Sequence, residues 1–140
     1  MMHWSDKYSR IPYVADGRDM RGIDCWGMVR IVLLEQKGIV LPSYGDISGY
    51  DLAAIATQVA ADAADPEIWS DVVYPREFDV CVMRWYGKRE DGHVGIMIDS
   101  HRVLHTEERT GTMIVPLEHH TIAGRIRYFR RHRSLVHEYA

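Results

Sequence analysis

Few residues in this chain can do nucleophilic chemistry. Its two cysteines are Cys25 and Cys81, and it carries eight histidines. Cys25 lies in Gly22-Ile23-Asp24-Cys25-Trp26-Gly27-Met28-Val29, after a residue suited to cap a helix and before an apolar run. Asp24 can accept hydrogen bonds from the backbone N–H groups of a first helical turn. A cysteine in that turn faces unpaired N–H groups and the positive end of the helix dipole, both of which favour thiolate over thiol. A thiolate nucleophile needs a base to take its proton and a third group to hold the base. His93 and His105 stand in two consecutive strand-like runs, where they can be cross-strand neighbours. Cys81, between Val80 and Val82, reads as core.

The elements that must position these groups follow from periodicity. Val29, Val32, Leu33 and Gln36 recur at helical spacing, widened by Met28, Ile31 and Leu34, which predicts a largely buried helix from about Cys25 to Lys37. Lys37 suits its last turn and Gly38 its end. Asp51 caps a second predicted helix, Leu52 to about Ala64, ended by Pro66. Residues 42–77 are expected to be a connector packed on the edge of the core. From Phe78 the pattern turns to β. Strands are expected over 79–85, 93–99, 102–107, 112–117 and 124–129, joined by turns too short for parallel crossovers. The expected fold class is α+β, one domain over residues 1–140, with a helix followed by an antiparallel meander of about five strands.

Composition sets outer bounds. The chain is 46% hydrophobic and 26% charged, with a formal net charge of −3. Nothing global argues for a nucleic-acid partner. Arg125, Arg127, Arg130, Arg131 and Arg133 cluster near the C-terminus and read as a solvated strand end. Two cysteines at this spacing make neither a disulfide framework nor a zinc site. His101 and His105 are four apart, but across a strand and turn rather than on one helix face. No H-E-x-x-H or C-x-x-C pair occurs, so no metal and no cofactor is expected. His119, His120, His132 and His137 read as surface or tail residues. No apolar signal-peptide core follows Met1, and no stretch is long enough for membrane insertion.

The segment Gly22-Ile23-Asp24-Cys25-Trp26-Gly27-Met28-Val29 resembles the DCSGLV signature of NlpC/P60 cysteine peptidases, and more closely the DCWGLV form of phage and prophage tail-associated members. Gly92-His93-Val94-Gly95-Ile96-Met97 is similar to the family's HVGIY-type strand. Val103-Leu104-His105 resembles its MIHA-type strand, and Phe78-Asp79-Val80-Cys81-Val82 its GDLV-type strand, with Phe78 in place of the glycine. Pro12-Tyr13-Val14-Ala15-Asp16-Gly17 is a looser counterpart of its Y-x-W-G-G segment. The order Tyr, Cys, His, His over residues 13–105 is the family's.

The resemblance implies a papain-like fold, with Cys25 as nucleophile, His93 as general base and His105 as the orienting group. Tyr13, Asp24 and Trp26 would line the oxyanion and substrate side. It implies hydrolysis of an amide in a peptidoglycan stem peptide. The tail-type motif implies phage tail-tip proteins as partners: assembly in the host cytoplasm, residence in the virion tail, and action at the periplasmic cell wall. Two alternatives share these residues. One is a tail-assembly docking protein with little or no turnover; the other is a thiol amidase or acyltransferase on a small substrate.

Overall fold

Asp24 starts the helix as its residue type predicts. Its carboxylate accepts the Gly27 N–H at 2.7 Å, and α1 runs Cys25–Lys37. Cys25 to Val29 and Ile31 to Leu33 are buried, the broad apolar face that the periodicity required. Gly38 ends the helix at φ 68°, its N–H turned back on the carbonyls of Leu33 and Leu34. The computed structural model describes residues 3–15, 17–42, 58, 61, 64–89 and 91–139. The helix expected over 52–64 falls outside these, apart from Gln58 and Ala61, which are helical, and Ala64, which lies in a turn.

A small antiparallel pair leads into α1: β1 (Arg18–Asp19) and β2 (Gly22–Ile23). Tyr13 bridges to Ile23 in parallel, so the N-terminal segment lies along the approach to the helix. Gly27 makes this approach possible. A Cβ there would come 2.3 Å from the Gly17 carbonyl oxygen, so the loop bearing Gly17 rests directly on the first turn of α1.

The main sheet has six strands rather than about five: β3 (Trp69–Val72), β4 (Val80–Arg84), β5 (Asp91–Met97), β6 (Arg102–Glu107), β7 (Gly111–Pro116) and β8 (Ile126–His132). Their order is β3-β8-β4-β5-β6-β7, and every pairing is antiparallel. Strands β4 to β7 form the expected meander. The chain then returns so that β8 covers the free edge of β4, and β3 covers β8. The extra strand comes from inside the 42–77 connector. Four residues, Trp-Ser-Asp-Val, are too short to show a period, and β3 forms because β8 offers an unpaired edge.

Both faces of the sheet are covered. Val80 and Val82 of β4 join Val94, Ile96 and Leu104 in the core that contains α1. The alternate residues Cys81 and Met83 join Met97, Val103, Val115 and Ile122 in a second cluster. Two-sided burial is why these strands read as continuous apolar runs. Helix α1 packs across β5 and β6. Among the described residues no helix is long and apolar enough to cross a membrane.

Of the C-terminal arginines, Arg127 and Arg133 are exposed as expected, whereas Arg125 is buried and the Arg130 and Arg131 side chains are largely covered. Arg127 pairs with Asp91 at 3.3 Å and Arg130 with Asp71 at 2.6 Å; Arg131 makes two 2.8 Å bonds to buried Asp79. Arg133 donates to the Pro66 carbonyl at 2.8 Å, and Arg125 is buried. Each arginine faces a carboxylate or carbonyl brought in by another part of the chain.

Candidate active site

Cys25 is the first residue of α1 and is 3% exposed. Its Sγ lies 4.0 Å from the Gly92 carbonyl oxygen, and the Val94 N–H faces it. Strand β5 therefore crosses the helix start at the two residues that flank His93. Intrahelical bonding begins with Met28 N–H on Asp24 O, and the Asp24 side chain takes the Gly27 N–H. Cys25 thus stands in the first turn, where backbone N–H groups precede the intrahelical ladder.

Pairing of β5 with β6 sets Ile96 opposite Leu104. Carried along the hairpin, that register makes His93 and His105 diagonal neighbours. Their rings meet edge to face, with His93 Nε2 2.9 Å from His105 Nδ1. Both residues are buried, at 1% and 0% exposure. Among the described residues, Nδ1 of His93 and Nε2 of His105 have no hydrogen-bond partner. The first of these is the nitrogen left to accept a proton. Trp85 lies beside His93 with ring centroids 6.1 Å apart.

Behind the histidines stands a residue that sequence reasoning passed over. Glu107 Oε1 is 3.8 Å from His93 Nε2 and 3.7 Å from His105 Nδ1. Arg125 grips that carboxylate with both terminal nitrogens, at 2.8 and 3.0 Å. Arg125 is itself fixed by the carbonyls of Arg84 and Thr121. It also lines a pocket of about 420 Å³ with Arg84, Tyr86, Arg109 and His120. The available signal was spacing, since Glu107 follows His105 by two residues and so shares its face of β6. Nothing local marks Arg125.

Electrostatics reverse one expectation. The Cys25 thiol is pushed up to about 12, chiefly by burial and then by the Asp24 carboxylate; the Val94 N–H and Arg18 oppose this only in part. A helix dipole is worth up to about 2 kcal/mol, roughly 1.5 pKa units, and burial outweighs it. At rest Cys25 is a thiol. Burial also lowers His93 well below the usual imidazole range, helped by His105 and Arg125. His105 falls to about 4, mainly through burial, with Glu107 pulling the other way. The resting pair is a thiol beside neutral imidazoles.

The remaining candidates hold the helix start. Asp24 pairs with Arg18 at 2.6 Å as well as capping Gly27. Trp26 is buried, and its indole donates to the Pro42 carbonyl at 2.7 Å, which ties the chain after the helix to the residue beside Cys25. Tyr13 is half-buried next to Ile23. Cys81 is fully buried in the second cluster, away from Cys25. His93, His105 and Glu107 place three ligand atoms within 4.8 Å of one another. A metal held there would have to displace both the imidazole hydrogen bond and the Arg125 grip on Glu107.

No curated protein sequence matches the chain. Fourteen solved chains do. One is the crystal structure of the NlpC/p60 domain of the peptidoglycan hydrolase SagA, at 20% identity, 90% coverage of each chain and a TM-score of 0.58. That likeness establishes the papain-like α+β fold, one helix packed on a mostly antiparallel sheet. The NlpC/P60 family pattern matches residues 10–131, which include the helix start, both histidines, Glu107 and Arg125. The chain belongs to the NlpC/P60 family.

Proposed function

We propose that the protein is a cysteine peptidase that hydrolyses amide bonds in peptidoglycan stem peptides. The observation that carries this reading is the geometry around His93. Its Nε2 is held by His105 at 2.9 Å, its Nδ1 is free of protein partners, and the residues on either side touch Cys25 Sγ. A base held by a third group beside a nucleophile at a helix start is what acyl transfer to sulfur requires.

The steps follow from the resting state. With the substrate carbonyl over Cys25, His93 Nδ1 takes the thiol proton as sulfur attacks, so no free thiolate need exist beforehand. The Cys25 backbone N–H, at the positive end of α1, is the donor assigned to the developing oxyanion. His93 returns the proton to the leaving amine, and water then releases the acyl group from Cys25. His105 keeps the His93 ring in orientation throughout, and Tyr13 borders the oxyanion side. The family resemblance supports stem-peptide amides as the substrate class. A phage tail-tip setting, with action at the periplasmic cell wall, rests on the Asp24-Cys25-Trp26-Gly27 segment alone.

The test is digestion of purified peptidoglycan, reading new amino groups and identifying the fragments by mass spectrometry. New termini within stem peptides, lost in Cys25→Ala, are expected. Absence of new amines while a reference hydrolase cleaves the same material would reject the reading.

A further inference from the structure

The geometry points to Glu107, held by Arg125, as a fourth, positioning member of the site that sets how readily His93 carries the thiol proton. This rests on the peptidase reading above. Glu107 Oε1 lies 3.8 Å from His93 Nε2 and 3.7 Å from His105 Nδ1, facing the two nitrogens that share one proton across 2.9 Å. When His93 Nδ1 accepts the thiol proton, positive charge appears on a ring that is 1% exposed. Without a carboxylate beside it, that charge would form deep in the protein with no counter-ion, which is costly.

Arg125 explains why the carboxylate can be there and why it does not act too strongly. Its two bonds to Glu107 satisfy an anion that is 8% exposed. The same guanidinium lowers both imidazoles and so keeps them neutral at rest. An unpaired carboxylate at this depth would hold the proton on His93 and hinder its return to the leaving amine. The ion pair therefore leaves the histidines neutral at rest and offers a negative oxygen when one of them charges. The other charges acting on this group come from several elements. Asp24 and Arg18 lie at the helix start, and Arg109 and His119 lie beyond β6 and β7. Glu107 is the carboxylate that faces His93 Nε2, at 3.8 Å.

The test uses two near-isosteric variants that break the same ion pair, Glu107→Gln and Arg125→Gln. Histidine side chains are followed by nitrogen NMR across pH in each, with folding checked by near-UV circular dichroism. Losing Glu107 should lower the protonation midpoints of His93 and His105 by about one pH unit or more. Losing Arg125 should raise them by a similar amount. For peptidoglycan cleavage, Glu107→Gln should cut kcat at least tenfold with KM within twofold. Glu107→Asp, which keeps the charge, should recover part of that loss. A purely structural role predicts similar destabilisation in both variants and no opposed shifts, and that result overturns the proposal. If either single variant fails to fold, the double Glu107→Gln/Arg125→Gln variant decides. It removes the nearer charge as well as the farther one, so the histidine midpoints should fall; unmoved midpoints reject the proposal. The NMR arm needs no substrate, so absence of peptidoglycan cleavage would sink the peptidase reading while leaving the role of Glu107 separately decided.

Discussion

Gly95 lies directly beneath His105. A Cβ built on Gly95 would come 3.0 Å from His105 Cβ, 3.0 Å from the Leu104 carbonyl oxygen and 2.6 Å from Val103 Cγ2. Two of those three atoms belong to the backbone or to a branch point, so β6 would have to move as a whole. Gly95→Ala should therefore lift His105 away from His93 and lower kcat at least tenfold. Overpacking of this kind costs about 1–3 kcal/mol. Urea unfolding and cleavage assays on the same sample check both halves, and a variant with normal kcat would show that β6 yields without disturbing the pair.

Cys25 and Cys81 are both buried thiols, yet they should answer mutation differently. Cys25→Ala should bring cleavage to background while stability changes by about 1 kcal/mol, since one small buried atom is lost. Cys81→Ala removes a similar atom from the second cluster and should leave kcat within twofold. Equal loss of activity in both variants would mean that Cys25 acts through the fold and not as the nucleophile.

Acid should weaken the fold through the two histidines. His105 titrates at about 4 in the folded chain against 6.5 when exposed, and His93 is shifted in the same direction. Folded pKa values below the unfolded ones mean that the unfolded chain binds protons first as pH falls. The contribution is whole above about pH 6.5 and is lost progressively toward pH 4, by roughly 3 kcal/mol for His105 alone. Denaturant midpoints measured from pH 7.5 down to 4.5 should fall, and His105→Gln should flatten the dependence. A flat wild-type profile would mean that the rings are not buried neutral.

Asp24 both caps α1 and raises the thiol beside it. Asp24→Asn keeps an acceptor for the Gly27 N–H and removes the charge, leaving Arg18 without its partner. Iodoacetamide should then label Cys25 faster at a given pH, because the thiol is easier to ionise. Stability should drop by about 1–3 kcal/mol for the broken buried pair. Unchanged labelling would show that burial alone holds the thiol up.

Phe78 adopts φ 72°, the left-handed region that favours glycine. The strain is held by packing: Phe78 is 5% exposed and its ring stacks on Trp4 at 4.7 Å. Phe78→Gly relieves about 1 kcal/mol of strain but gives up about 3 kcal/mol or more of aromatic burial. A net loss in thermal stability is expected; a gain would mean that the aromatic contact contributes little.

Most of the catalytic pattern was legible in the sequence because it is local. Asp24 before Cys25, the apolar spacing of α1 and the short turns between β4 and β7 depend on neighbours a few residues away. Those rules place a cysteine at a helix start and two histidines on one hairpin. Strand β3 was not legible, because its four residues carry no period and it forms only against the edge of β8. The pairing of the C-terminal arginines was not legible for a related reason, since each finds its partner far along the chain.

The sequence by itself determined the helix, the hairpin and the identities of Cys25, His93 and His105, since hydrophobic period and capping act through chain neighbours. Tertiary structure alone decided the protonation of those groups and the company they keep. Glu107 and Arg125 are 18 residues apart and meet only because β8 turns back to β4. Packing removes water from Cys25 and so favours its thiol over its thiolate, desolvation opposing what one helix end supplies.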